Sequence, residues 1–228
     1  MSTLDYIAIA WFFALIALFE AALYLPPLAR RTLTHSVQQQ RRLWITNTSM
    51  REQRQFDAIL IASLTQSIAF FASTSVIGIG GLVAIMGSGD KAKVLLEQLP
   101  FVRVAEPAVW EMKILFMMGI LVYAFFKFAW AFRLSHYNVM VFGAMPAADD
   151  PDAARRQAYS EELARLLGLV GDHANAGLRS FYYAFAAIAW FFHPALFMLA
   201  MALVVAVLLR REFVSRASGI LEKIRPKT

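Results

Sequence analysis

Two ionisable residues stand inside long apolar stretches, where a charge is costly. Glu20 lies five residues before Leu25, and Lys127 lies six residues before Arg133. If both stretches are membrane helices that run in the same direction, each charge lies ~8 Å from the same membrane face. Ions at such positions usually turn away from lipid and pair. The spacing predicts a Glu20–Lys127 pair or a hydrated cavity that holds both. The alternative for Lys127 is an extension to the lipid headgroups.

Two further polar residues interrupt apolar stretches. His193 precedes Pro194, which leaves the Trp190 carbonyl without its usual helical donor. His193 either satisfies polar groups at this kink or acts in a proton relay. Gln66 belongs to a seven-residue pattern of mostly small or polar side chains: Ala62, Gln66, Ala69, Ser73, Val76, Gly80, Val83 and Gly87. A matching stripe comprises Ala10, Ala14, Ala17 and Ala21. Small residues permit close helix approach, so we expect the stripes to pack against each other or another subunit.

A third group of polar residues flanks the ends of the apolar stretches. With Glu20, these residues would gather at one membrane face: Asp57, Arg133, His136, Asn138, His173, Asn175 and Arg179. Such a convergence is what a substrate or ion vestibule needs, and helix ends also produce it without any function.

The sequence lacks the motifs of common catalytic centres. It holds no cysteine, and its four histidines share no ligand spacing, so we expect neither a metal nor a cofactor. Phosphate-binding loops, H-E-x-x-H and G-x-S-x-G are missing. We therefore expect a protein that is not an enzyme.

Four apolar stretches position these residues. Of the 228 residues, 59% are hydrophobic and 17% are charged, whereas soluble domains have roughly 25% charged residues. Each stretch approaches or exceeds the ~20 residues that cross a bilayer. The predicted spans cover about 6–25, 58–86, 114–132 and 181–209. Only helices satisfy their own backbone in lipid segment by segment, so the sequence predicts one all-α membrane domain over 1–228.

The connectors carry their own helix signals. Ser49 and Glu52 have the spacing of a capping box, which predicts that the second membrane helix begins near Met50. Asp150 and Pro151 have the types of an N-cap and a first helical residue. Amphipathic helices are predicted over about 151–167 and 212–224. They lie either on the bilayer surface or against the protein's own loops.

The net charge of +6 is interpreted as membrane topology rather than nucleic-acid binding. The first and third connectors carry eleven Lys and Arg residues: Arg30, Arg31, Arg41, Arg42, Arg51, Arg54, Arg133, Arg155, Arg156, Arg165 and Arg179. The second connector and the tail carry ten: Lys91, Lys93, Arg103, Lys113, Arg210, Arg211, Arg216, Lys223, Arg225 and Lys227. The near tie is broken by the first span, because basic residues follow it and none precedes it. We expect an external N-terminus, cytoplasmic first and third connectors and an external tail, although a basic tail fits this arrangement poorly.

Several segments in combination resemble one family. They are Arg42-Leu43-Trp44, Phe71-Ala72-Ser73-Thr74-Ser75, RLSHYN over 133–138, and RSFYYAF over 179–185. The chain resembles a family of bacterial and plant integral membrane proteins catalogued as a domain of unknown function, number 599. The resemblance implies a four-helix membrane protein and supplies no activity, substrate or catalytic residue.

The leading functional hypothesis is a homo-oligomeric channel or transporter for a small ion or solute in the bacterial inner membrane. Glu20, Lys127, His193 and Gln66 are the gating or permeation candidates, and a route between subunits suits so small a protomer. The alternative is a non-transporting accessory or scaffold subunit of a larger membrane complex. The bilayer is the expected partner, with anionic lipids at the basic first connector and tail.

Overall fold

The computed structural model describes residues 1–25, 29, 31–88 and 107–224, and within these ranges the regular elements are helices. They are α1 (Thr3–Tyr24), α2 (Leu33–Ser49), α3 (Gln55–Gly87), α4 (Pro107–Gly143), α5 (Ala153–Ile188), a 3₁₀ turn (Ala189–Phe191), α6 (Pro194–Phe213) and α7 (Arg216–Lys223). Four of these, α1, α3, α4 and α6, are long and apolar enough to cross a membrane. The predicted all-α class and number of apolar helices are confirmed.

The predicted fourth span, about 181–209, contains a reversal of the chain. Helix α5 ends at Ile188, and α6 begins at Pro194 after the 3₁₀ turn. The Trp190 ring, in this turn, stacks on the Phe197 ring of α6 with centroids 5.2 Å apart. Farther from the turn, Arg179 and Arg211 line the same cavity. Helix α6 therefore returns alongside α5, and the apolar run is continuous only in sequence because hydropathy carries no information on direction.

The other long helices take their directions from contacts with this hairpin. Helix α4 is antiparallel to α5, since Lys113 contacts Trp190 near one end and Phe128 packs on Phe181 farther along. Helix α1 runs parallel to α6. The Trp11 indole donates to the Met198 carbonyl near the start of both helices, and Phe19 and Leu208 line one cavity farther along them. The bundle thus has a distal end, with the α5–α6 turn and the starts of α1 and α4. Its basal end holds α2, the start of α3 and the ends of α1, α4 and α6.

The C-terminal tail lies at the basal end, and the expectation of a tail on the opposite side from the first and third connectors is wrong. The Glu212 carboxylate accepts a hydrogen bond of 2.8 Å from the Thr34 amide at the start of α2, and α7 packs on α2. The physical reason is the turn before Pro194, which gives the chain one more reversal than the apolar stretches suggest. Among the described residues, every arginine belongs to the basal half and Lys113 to the distal end. Arg30, Lys91, Lys93, Arg103, Arg225 and Lys227 lie outside the described residues.

The predicted amphipathic helix of the third connector is the first half of α5. Its N-cap is Asp152, which accepts from the Arg155 amide, and not Asp150. This half packs on α2, so docking against the protein's own elements is the outcome. Two glycines permit the close approach: a Cβ at Gly168 would lie within 2.8 Å of the Gln38 carboxamide, and one at Gly171 would overlap a guanidinium of α2.

The predicted capping box of Ser49 and Glu52 does not form. Helix α2 extends to Ser49, whose hydroxyl donates to the Thr46 carbonyl, and α3 begins at Gln55. The segment between them is held differently, because the Arg54 guanidinium donates to the carbonyls of Ser49, Met145 and Pro146. Arg54 thereby joins the first and third connectors.

The small-residue stripes do not pack against each other. The buried positions of α3 are Asp57, Ile61, Ile68, Ser75 and Leu82, on the face toward α4. The α3 stripe, including Gln66, is exposed or half-buried, and the α1 stripe is exposed. Helix α3 packs on α4 through a different face from the one that carries its stripe. Both stripes therefore remain on the outer surface of the chain.

The sidedness of the tail can be tested by cysteine labelling, since the chain has no cysteine of its own. We expect Asn47→Cys and Arg216→Cys to react with an impermeant maleimide from one side of sealed vesicles. Gly87→Cys should react from the other side, because α3 ends at the distal end. All three positions are exposed, and lysed vesicles should label every variant. Labelling of Arg216→Cys together with Gly87→Cys would refute the reversal before Pro194.

Candidate functional site

Glu20 of α1 forms an ion pair with Arg179 of α5. Arg179 Nη2 donates to Glu20 Oε1 over 3.0 Å, and the Arg179 side chain is 18% exposed and the Glu20 side chain 35%. The guanidinium also lies over the Phe19 ring, 5.5 Å from its centroid. The pair is therefore half-shielded and joins the basal end of α1 to the second half of α5.

The predicted Glu20–Lys127 pair is wrong. Lys127 Nζ lies over the Tyr123 ring, 5.2 Å from the centroid. The sequence indicates the depth of Glu20 and Lys127 along their helix axes, but the rotation of each helix about its axis decides which side chains can pair. Ala124, Phe128 and Ala131 take the buried face of α4 at 0% exposure. Lys127, between them in sequence, is half-buried and does not line the cavity that Glu20 borders.

A cavity of about 410 Å³, the membrane cavity, lies between α1, α4 and α5 on the distal side of the ion pair. Its lining is mostly apolar and aromatic: Phe12, Phe13, Ile16, Glu20, Phe116, Gly119, Ile120, Tyr123, Ala176, Arg179, Ser180 and Tyr183. The Tyr183 hydroxyl, on a side chain only 4% exposed, has no hydrogen-bond partner among the described residues. A buried hydroxyl without a partner costs free energy, so one residue of the cavity wall carries an unsatisfied polar group.

A second cavity of about 190 Å³, the basal cavity, lies on the other side of Arg179. It is the more polar of the two and is lined by Phe19, Leu33, Thr34, Val37, Arg41, Asn175, Leu178, Arg179, Tyr182, Leu208, Arg211 and Glu212. Arg179 borders both cavities, whereas its partner Glu20 borders only the membrane cavity.

The charges around the basal cavity influence one another. Burial raises the pKa of Asp172, and the positive charges of Arg41, His173 and Arg179 oppose that rise. Burial also lowers the pKa of Arg41, against the attraction of Asp172. A raised carboxyl pKa means that the folded state binds the proton more tightly than the unfolded state. The contribution of Asp172 to stability is therefore lost as the pH increases from the ordinary carboxyl pKa through the raised pKa of the folded state.

The distal end holds a buried polar cluster that the sequence did not reveal. Lys113 Nζ donates to the Trp190 carbonyl over 2.9 Å, and Trp190 Nε1 donates to Asp5 Oδ1 over 2.8 Å. Asp5 and Lys113 are 5% and 7% exposed. Lys113 was counted as a connector charge, although its position early in an apolar helix could have indicated a buried role.

His193 has a different place from the one considered. Its Nδ1 accepts from the Ala195 amide over 3.1 Å and caps α6. The Trp190 carbonyl that Pro194 frees is satisfied by Lys113 instead. His193 lies at the distal end, beyond the end of α5 and away from Arg179, and it lines neither cavity.

The predicted face of polar residues divides into separate groups. Asp57 is fully buried and accepts from Trp44 Nε1 at 2.6 Å and from Arg51 at 2.9 Å. The others lie as follows: Arg133 donates to the Tyr137 hydroxyl, His136 is exposed beside the Phe132 carbonyl, His173 contacts the Trp130 ring, and Gln66 is exposed on α3. Only Asn175 and Arg179 join Glu20 at the cavities. Within the described ranges, no three His, Asp or Glu side chains gather in a way that could hold a metal ion.

Comparison with known proteins gives one match. The model of a family described as a protein of unknown function, DUF599, matches residues 7–217. No curated protein and no solved structure matches the chain.

Asn138 offers a test of whether a buried polar side chain without a partner destabilises the fold. Its side chain is 1% exposed, and neither amide atom has a partner among the described residues. We expect Asn138→Leu to raise the free energy of unfolding by about 1–3 kcal/mol, because it removes an unpaired buried amide. Thermal unfolding in detergent measures this change. The exposed Asn47→Leu is the control, with an expected change within about 0.5 kcal/mol. Destabilisation by Asn138→Leu would show that the amide has a partner.

Proposed function

Because this chain belongs to DUF599, a family of proteins of unknown function, its activity has to follow from its own geometry, and we propose that it transports a small ion or solute. The arrangement that supports transport best is the position of Arg179 between two cavities. One cavity adjoins the arginine-rich basal end, and the other extends into the apolar part of the bundle. A pathway inside one protomer replaces the route between subunits.

The proposed pathway is closed at two points. The Glu20–Arg179 pair closes the boundary between the cavities. Aromatic rings close the distal side, where the Trp190 ring lies 5.3 Å from Phe116 and 5.2 Å from Phe197. From Glu20 to Phe12 the membrane cavity extends ~12 Å along α1. This closed form needs both a charge separation and a ring movement to open, as gated transport requires.

The ion pair is suited to act as a gate because each charge can exchange its partner. A buried pair loses much free energy when one charge is left alone. A solute that carries the opposite charge can replace the missing partner, so binding and opening are coupled. Lys127 and His193 have no such part in this proposal, since neither lines a cavity.

The charge distribution supports an orientation in the bacterial inner membrane. The arginines of the described residues belong to the basal half, with Lys113 at the distal end and a half-buried Lys127 in the apolar part of α4. Basic residues favour the cytoplasmic side. We therefore place the basal end in the cytoplasm, the N-terminus outside, and anionic lipids around the basal arginines.

The exposed stripe of α3 supports a homo-oligomer. Gln66 and Ser73 are exposed on a helix apolar enough to span the membrane, and small residues flank them. Polar side chains on such a face are stabilised when a second helix supplies hydrogen-bond partners. A second copy that packs stripe against stripe would bring Gln66 near its equivalent in the partner.

Transport can be tested in proteoliposomes challenged with sodium acetate, ammonium chloride and potassium chloride. We expect Glu20→Gln and Arg179→Gln each to change the flux of the transported salt by about tenfold, because each removes a charge-assisted hydrogen bond. Lys127→Met is the matched control, since Lys127 is a membrane charge outside both cavities, and its flux should equal that of the unaltered chain.

Two outcomes would contradict the transport proposal. The first is flux no higher than that of empty liposomes for every salt. The second is destabilisation by each single variant with recovery of stability in a double apolar replacement, which would make the pair structural. Co-purification with a larger complex, in that case, would favour the accessory role.

Oligomerisation has its own test. We expect Gln66→Leu to reduce the fraction of oligomer in mild detergent by severalfold, because a hydrogen bond between membrane helices contributes ~0.6–2 kcal/mol. Phe70→Leu is the control, as Phe70 is an exposed apolar residue beside the stripe. Chemical crosslinking followed by gel analysis measures the fraction. A monomer before substitution would refute the homo-oligomer.

A further inference from the structure

We propose that the membrane cavity binds a zwitterionic amphiphile, with its charged head at the Glu20–Arg179 pair and its apolar chain along the aromatic wall. The inference rests on the proposed function only in treating this occupant as the cargo. The site itself is argued from the lining, the charges and one unpartnered hydroxyl.

The wall of the cavity suits an apolar chain. Phe12, Phe116 and Ile120 form its inner side and are buried or partly buried. Phe13 and Tyr123, at 57% and 53% exposure, form a rim that faces outward. Because these helices span a bilayer, an outward rim faces lipid, and a chain can enter sideways without crossing water. A volume of about 410 Å³ lies within the usual ligand range of ~300–1,000 Å³.

The head is identified by charge complementarity. Glu20 and Arg179 carry opposite charges and lie 3.0 Å apart. A head with a single net charge would satisfy one of them and leave the other unmatched in a weakly solvated place, which is costly. An ammonium group beside Glu20 together with a phosphate or carboxylate beside Arg179 matches both. Only one N–H of Arg179 is bound to Glu20, so its guanidinium retains donors for an oxyanion.

The neighbouring charges do not change this balance. Around the basal cavity, Arg41 is attracted to Asp172, and Arg211 shares the lining with Glu212. The linings of the two cavities hold three arginines and two carboxylates, and Asp172 beside Arg41 supplies a third carboxylate outside the linings. The two cavities together have no large excess of either charge, which disfavours a strictly anionic or strictly cationic occupant.

Tyr183 supplies the independent observation that points to a ligand. Tyr183 lines the membrane cavity, its side chain is 4% exposed, and its buried hydroxyl has no hydrogen-bond partner among the described residues. A hydroxyl can donate one hydrogen bond and accept others. The glycerol or phosphate oxygens of an amphiphile whose head lies at Arg179, one helical turn away in α5, would satisfy it.

The test is equilibrium binding to the full chain in detergent, followed by native mass spectrometry. The probes are three single-chain lipids with the same acyl group: lysophosphatidylethanolamine, lysophosphatidylglycerol and a monoacylglycerol. They carry zwitterionic, anionic and uncharged heads. We expect the ethanolamine lipid to bind about tenfold more tightly than either of the others, the size of one charge-assisted contact. Equal binding of all three, or a preference for the anionic lipid, would overturn the proposal.

Variants separate the head site from the chain site. Glu20→Gln should remove the preference for ethanolamine over glycerol heads, and Tyr183→Phe should weaken both phosphate-bearing probes by about threefold or more. Gly119→Leu should abolish binding of all three, because a Cβ at Gly119 meets no atom within 4 Å and a leucine there fills the cavity. Gly81→Leu is the control, since Gly81 is equally open but lies outside the cavity. Full binding by Gly119→Leu would place the lipid elsewhere.

Binding and flux fail independently. Selective binding of the ethanolamine lipid without flux of any salt or lipid would keep the site and remove the transport function. Salt flux that depends on Glu20 and Arg179, with no selective lipid binding, would keep transport and remove the amphiphile as its cargo.

Discussion

The hydrogen bond from the Lys113 ammonium to the Trp190 carbonyl is the contact on which the arrangement of the bundle depends. A chain that reverses among membrane helices frees backbone groups that lipid cannot satisfy. Pro194 makes the reversal possible by starting a new helix, and it leaves the carbonyl that Lys113 then satisfies. Because Trp190 also donates to Asp5, three helices meet at one turn. Loss of this cluster would release α6 from its course beside α5 and α1.

The return of α6 determines what lies at the basal end. It brings Glu212 to the start of α2 and Arg211 to the edge of the basal cavity. Without it, Arg179 would face lipid or solvent on that side instead of a second cavity. The close packing of α2 on Gly168 and Gly171 completes the same end. The cavities are thus a consequence of how the last two long helices are folded, more than of any single polar residue.

Hydropathy was sufficient to predict the helical class and the approximate positions of the first three spans, because length and apolar content decide those. It could not show that the run over 181–209 holds a turn, although Pro194 marked the place. It identified Glu20 as an acid within a membrane helix but not its partner, since Lys127 and Arg179 lie at similar depth and only helix rotation distinguishes them. Asp5 and Lys113 were missed because charges near helix ends are usually solvated.

Arg179 has one guanidinium for two cavities. Any molecule that draws this group toward itself on one side changes the energy of occupying the other side. Such heterotropic coupling is reciprocal, so the affinity change that the first ligand imposes on the second equals the change that the second imposes on the first. A competitor that binds only in the basal cavity would then still weaken the binding of a ligand in the membrane cavity, because it holds the Arg179 side chain away from that ligand.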